Sequence, residues 1–154
     1  MTSRMAENTW DLEIRPHRTP LFTYGAAAIV LVAHVTVGAL LKIKSTGVFF
    51  QTSDQVAMAL LGVILAGVIL LFARPRLRIG APGVSVRNLF GYRLIPWSEV
   101  VGLAFPKGAR WARLDLPDDE YVQVMAIQAN DKDRAVAAMD AARDLIVQYR
   151  PGLS

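Results

Sequence analysis

Two long uncharged runs limit what this chain can fold into. The first, LFTYGAAAIVLVAHVTVGALLKI, covers 23 residues from Leu21 to Ile43 with no charge before Lys42. The second, QVAMALLGVILAGVILLFA, covers 19 residues from Gln55 to Ala73. A helix of about 20 apolar residues crosses a hydrocarbon core, where every backbone polar group needs an internal partner. Both runs therefore read as spanning helices. The competing reading of the first is a secretory signal, but that calls for an apolar core of about 7–15 residues ahead of a small-residue cleavage site. The segment between them, Lys44 to Asp54, is short, polar and Gly-containing, and its Phe49-Phe50 pair suits a membrane interface. It reads as an external loop.

Charge at the flanks sets the orientation. Arg4, Arg15 and Arg18 precede the first run and Arg74, Arg76 and Arg78 follow the second, against Lys42 and Lys44 between them. The excess of Lys and Arg on cytoplasmic flanks predicts a multi-pass plasma-membrane protein with both termini in the cytoplasm. Residues 1–20 then read as a mixed-charge cytoplasmic tail, 21–73 as a transmembrane hairpin and 74–154 as one small cytoplasmic domain. A composition that is 53% hydrophobic, above the roughly 45–50% of soluble chains, agrees with lipid contact. The absence of Cys removes disulfides, thiolate catalysis, iron–sulfur clusters and Cys-based zinc sites from consideration.

After Arg78 the pattern changes to short alternating segments punctuated by Gly and Pro, which is the signature of strands and turns. Leu77–Ile79, Val84–Asn88, Tyr92–Trp97, Val100–Phe105, Trp111–Leu116 and Tyr121–Gln128 read as six antiparallel strands. Gly80-Ala-Pro-Gly83 and Pro117-Asp-Asp-Glu120 read as turns. From Asp131 onward, Ala135, Met139, Ala142, Ile146 and Tyr149 recur at helical spacing. Asp131 or Asp133 is placed to cap that helix, and Arg150-Pro151-Gly152 stops it.

Several strings carry a likeness to a known family: RPRLR at 74–78, GVSVRNLF at 83–90, IPWSEV at 95–100 and FPKGARWARLDLP at 105–117. On these, the segment from 74 to about 147 resembles the actinobacterial membrane-anchored PH-domain family, including the low molecular weight protein antigen 6 group. In that family the domain often follows a pair of membrane helices. The resemblance implies an α+β architecture: two N-terminal transmembrane helices followed by a small PH-like antiparallel β-domain closed by a C-terminal amphipathic helix. It implies no reaction, substrate or catalytic residue. Trp97 is expected in the core under the C-terminal helix, with Pro96 at a strand end and Glu99 in water.

Arg74, Arg76 and Arg78 alternate, so in an extended segment they project to one side, just beyond the second span. They read as orientation and headgroup contacts or, alternatively, as a defined anionic lipid or phosphate site. Lys107, Arg110 and Arg113 lie in and after a loop that also holds Trp111. That indole reads either as a cap over the sheet or as an interfacial aromatic dipping toward lipid. His34 sits near the middle of the first span, where a titratable group suggests function. The plainer account is packing: a neutral imidazole bonds to a neighbouring helix or a backbone carbonyl, and Thr36 and Gly38 nearby suit close helix packing of the kind Gly62 and Ala66 allow on the second span. Haem ligation or proton relay would need a second intramembrane ligand or acid, which neither run supplies. Asp118, Asp119 and Glu120 lack the spacing of a calcium loop.

No catalytic motif, metal constellation or cofactor fingerprint is present. From Arg74 onward there are 12 basic and 9 acidic residues, a difference of +3, which gives little support to nucleic-acid binding. The sequence thus predicts a non-enzymatic, membrane-anchored interaction or accessory module. Its expected partners are membrane lipid and a protein partner, or a second copy through the helices. The alternative is an anionic-lipid sensor using the juxtamembrane and loop basic residues.

Overall fold

The computed structural model of the chain describes residues 9–41, 43 and 49–152. It divides into two compact units, Thr19–Ala73 and a second built from the segment up to Arg18 together with the chain from Arg74 onward. Lys42, Lys44 and Arg4, used above for orientation, lie outside the described residues.

The apolar unit is a pair of helices. Helix α1 covers Arg18–Leu40 and α2 covers Thr52–Leu70, continuing as a 3₁₀ turn over Leu71–Ala73. Each begins three residues before the uncharged run that forms most of it. Pro20 is tolerated in the first turn of α1, where no intrahelical N–H partner is required. At the start of α2, Asp54 accepts a bond from the Gln51 amide at 2.7 Å. The two helices meet on small residues. A Cβ added at Gly62 would lie 2.6 Å from the His34 Cβ, and Gln55 Nε2 donates to the Gly38 carbonyl at 2.9 Å. Ala27, Gly38, Gly62 and Ala66 are buried there. Elsewhere the pair is bare: only 17% of the first apolar stretch and 11% of the second is buried. Both helices are long and apolar enough to cross a membrane.

Among the described residues, the second unit contains seven strands and one α-helix. The first strand corrects the reading of residues 1–20 as a tail: Trp10–Ile14 forms β1, with Trp10, Leu12 and Ile14 turned inward and Asp11 and Glu13 outward. It pairs antiparallel with β2, Arg76–Gly80, placing Ile14 opposite Leu77 and Glu13 opposite Arg78. Strands β3 (Gly83–Arg87) and β4 (Tyr92–Ile95) complete a sheet of order β1-β2-β3-β4. The other sheet runs β5 (Gly102–Ala104), β6 (Trp111–Asp115) and β7 (Tyr121–Gln128). All six strands expected after Arg78 are present. The Pro117–Glu120 segment is the β6–β7 hairpin turn, with Asp118 and Asp119 in the left-handed region.

Helix α3, Asp133–Tyr149, closes the unit with Ala135, Met139, Ala142 and Ile146 on its buried face. These four pack with Leu77, Ile79, Val84, Ile95, Leu114 and Ile127 in one core contributed by both sheets. Trp97, in a 3₁₀ turn after β4, packs on the edge of that core and stacks on Tyr149 at 4.7 Å between centroids. Its indole donates to the Gly80 carbonyl at 3.0 Å. Arg150 follows α3 and donates to the carbonyls of Trp97 and Val100 at 2.6 and 2.9 Å.

Two glycines permit the close approaches in the first sheet. At Gly83, φ is +132° and an added Cβ would meet the Ile95 carbonyl oxygen at 2.2 Å. At Gly80 it would meet the Thr9 carbonyl oxygen at 2.1 Å, so β1 can approach only a residue without a side chain. Gly80→Ala is therefore expected to displace β1 and destabilise the unit by about 1–3 kcal/mol. The melting temperature in detergent should fall by roughly 4–8 °C per kcal/mol, with amide exchange of Asp11–Ile14 accelerating first. An unchanged melt would mean that β1 contributes nothing to the domain.

Candidate functional site

The outer face of the first sheet gathers charge around one acidic residue. Glu13 Oε2 accepts from Arg78 Nε at 2.8 Å, and Oε1 accepts from Arg15 Nε at 2.6 Å and lies 3.4 Å from Arg76 Nε. Arg76 and Arg78 do share one face of β2, since Leu77 and Ile79, which alternate with them, are buried. Arg74 precedes the strand and is exposed. Arg87 pairs with Arg76 across β2 and β3, adding a further positive charge to that face. Partial burial pushes the Glu13 carboxyl up, but hydrogen bonds from Arg15 and Arg78 and the charges of Arg76 and Arg78 outweigh it. Glu13 therefore sits below the ordinary glutamate range. The two strand arginines proposed as lipid contacts are thus partly neutralised within the domain.

The loop group divides in a similar way. Lys107 and Arg110 are exposed around a turn in which Ala109 donates to the Pro106 carbonyl at 3.0 Å. Arg113 instead pairs with Asp115 at 2.8 Å and lies 5.4 Å from the centre of the Tyr121 ring. Trp111 opens β6 half-buried, on the strand face it shares with Arg113. His34 is held within its own helix, its Nδ1 2.8 Å from the Val30 carbonyl oxygen, and packs against Gly62.

Two anchoring residues have no local sequence signal. Neither Asp131 nor Asp133, the two candidate caps for α3, takes that role: Lys132 holds the N-cap position, Asp133 is the first residue of the helix, and Asp131 accepts from the backbone amides of His17 and Arg18, each at 3.1 Å. The chain reverses before α3, so this carboxylate faces β1's continuation across more than 110 residues of sequence. Asp11 receives the Tyr149 hydroxyl, and that bond raises the phenol above its usual value. The segment from Trp10 to Arg18 is thereby fixed to the domain at both ends.

A cleft of about 460 Å³ opens beside α3. Phe105, Val136 and Met139 supply apolar lining, while Lys132, Asp140 and Arg143 supply charge. Val136 is 61% exposed although it lies on the helix that closes the core. Among the described residues, no group of three His, Cys, Asp or Glu side chains is arranged to hold a metal ion.

Two predictions follow from these anchors. Removing the Asp131 carboxylate in Asp131→Ala should cost about 0.5–2 kcal/mol, as for loss of a helix cap, measured by thermal unfolding. Glu13 stabilises the fold above its unfolded value near 4.5, and that contribution is lost as pH falls through its lower folded value. Protection of β1 amides should therefore drop on acidification below about pH 4.5, and Glu13→Gln should abolish this dependence. An unaltered profile in the variant would assign the effect to another carboxylate.

A family profile described as bacterial PH domain matches residues 74–145. The uncharacterized proteins Rv1417 of Mycobacterium tuberculosis and Mb1452 of Mycobacterium bovis are each 65% identical over 148 residues, covering 96% of this chain and 96% of theirs. No solved structure matches. Seven strands in two antiparallel sheets, the closing helix, the profile match and the near full-length relatives lead to one assignment: the chain belongs to the bacterial PH-domain family.

Proposed function

We propose that this protein is a non-catalytic, membrane-anchored interaction module whose PH domain stays at the inner face of the plasma membrane and presents a surface to a partner protein. The observation that carries the reading is the position of the apolar hairpin, which is inserted between two paired strands of one sheet. Because β1 and β2 belong to one folded unit, the flanks of the hairpin lie on the same side of any bilayer it crosses. A domain held in this way needs no headgroup affinity to reach the membrane. Its exposed surface is therefore available for other contacts.

The cleft beside α3 suits such a contact, because its apolar lining accepts a hydrophobic side chain and its charged residues select the polar neighbours. Native mass spectrometry of the protein gently extracted from its own membrane should show a stoichiometric polypeptide beyond the 16.9 kDa chain. Val136→Arg should release that polypeptide while leaving the fold intact. The lipid-sensing alternative draws on Arg74, Lys107 and Arg110, which are exposed. Bound anionic lipid that disappears on charge reversal of Lys107, Arg110 and Arg113, with no polypeptide bound, would replace the first reading by this one.

Orientation is tested independently, since the native chain lacks Cys. An impermeant maleimide should label Phe49→Cys in intact cells and Ser98→Cys only after permeabilisation. The reverse pattern would invert the topology.

A further inference from the structure

The register of the first sheet brings its chain connections to one end. Ile14 at the end of β1 faces Leu77, Arg76 at the start of β2 faces Arg87, and Arg87 at the end of β3 faces Tyr92. From this end the chain continues from β1 into α1 and enters β2 from α2. Arg18 is four residues after Ile14 (18 − 14), and Arg76 is three after Ala73 (76 − 73). Three or four residues span at most about 10–14 Å when extended. The headgroup layer adds roughly 5–8 Å to each side of the hydrocarbon core. If α1 and α2 cross a bilayer, this end of the sheet cannot stand far from its surface.

A third feature projects from the same end: the β3–β4 turn, Asn88–Gly91. Phe90 is 87% exposed at its tip, and Tyr92 and Leu94 on the following strand are 64% and 44% exposed. An aromatic in water on a turn that small and polar residues would form equally well gains nothing for folding. The turn is also firmly mounted. Asn88 Nδ2 donates to the Gln123 carbonyl at 2.8 Å, its Oδ1 accepts the Met125 amide at 3.2 Å, and its own amide donates to the Gly91 carbonyl at 2.9 Å. The other sheet thus braces the base of the turn. Behind it, Arg87 and Arg76 share the outer face with Tyr92, and Arg74 is exposed just before β2.

We infer that the β3–β4 turn is a third membrane contact, in which Phe90 enters the headgroup boundary of the leaflet that the two helices leave, while Arg74 and Arg87 face anionic headgroups. Aromatic residues favour that boundary and basic residues favour an anionic leaflet. The two chain connections hold only the β1–β2 side of that sheet end, and a contact at the β3–β4 turn holds its other side as well. The inference rests on the proposal that α1 and α2 span the bilayer.

The test places an environment-sensitive fluorophore at single cysteines in full-length protein, reconstituted in phosphatidylcholine–phosphatidylglycerol nanodiscs with brominated acyl chains. Ile64→Cys reports the helix surface, Phe90→Cys the turn, and Ser98→Cys the exposed opposite end, beyond the Ile95–Val84 pair. Loss of fluorescence at Ile64 and Phe90 but not at Ser98 is expected. Because that label replaces Phe90, a second label at Tyr92→Cys keeps the native tip, and its quenching should vanish when Phe90→Asp is added. Quenching at Ile64 alone, with Phe90 and Tyr92 as bright as Ser98, overturns the inference and leaves the spanning helices standing. No quenching at any of the sites overturns both.

Discussion

The antiparallel ladder between Trp10–Ile14 and Arg76–Gly80 is the interaction on which the rest of this architecture depends. It joins segments 65 residues apart at Glu13 and Arg78, with the whole apolar hairpin lying between them in sequence. Without β1, the outer edge of β2 would present unpaired backbone groups, and Leu77 and Ile79 would lose the cover of Leu12 and Ile14. With it, the sheet closes and the hairpin becomes an excursion from a folded domain rather than an appendage at its start.

Several weak contacts act together to hold that strand. An exposed ion pair contributes about 0–1 kcal/mol, so Glu13 alone does not fix β1. It acts beside the Tyr149 bond to Asp11, the Asp131 bonds to the His17 and Arg18 amides, and the glycine contact at Gly80. These contacts link β1 to α3 and to the turn before it. Trp97 and Arg150 link the same helix to the end of the first sheet. The C-terminal helix therefore serves both sheets and the N-terminal strand, consistent with its four buried residues recurring along one face.

Much of this was legible in the sequence. Apolar length identified the helices, period-two alternation identified six strands, and helical spacing identified α3, because each signal is complete within its own segment. The likeness of residues 74–147 to membrane-anchored PH domains led to the family to which the chain belongs. The first strand was missed although WDLEI alternates apolar and acidic residues, since five residues ahead of a long helix read equally well as a tail. Asp131 was assigned to the nearest helix, and its actual partners lie at the far end of the sequence, where no local pattern connects them. The basic clusters were visible as composition. Their division into residues held by Glu13 or Asp115 and residues left exposed depends on cross-strand register, which composition does not encode.

The split sheet also bears on how the protein is made. During synthesis the first strand emerges well before its partner, and α1 and α2 must both be released before Arg76–Gly80 can pair with it. On the proposal that α1 and α2 span the bilayer, a nascent chain that inserted one helix and not the other would leave the two strands on opposite sides of it. Its domain would then lack an edge strand and leave Leu77 and Ile79 without the cover of Leu12 and Ile14. On that proposal, pairing of Arg76–Gly80 with Trp10–Ile14 reports on insertion of both helices.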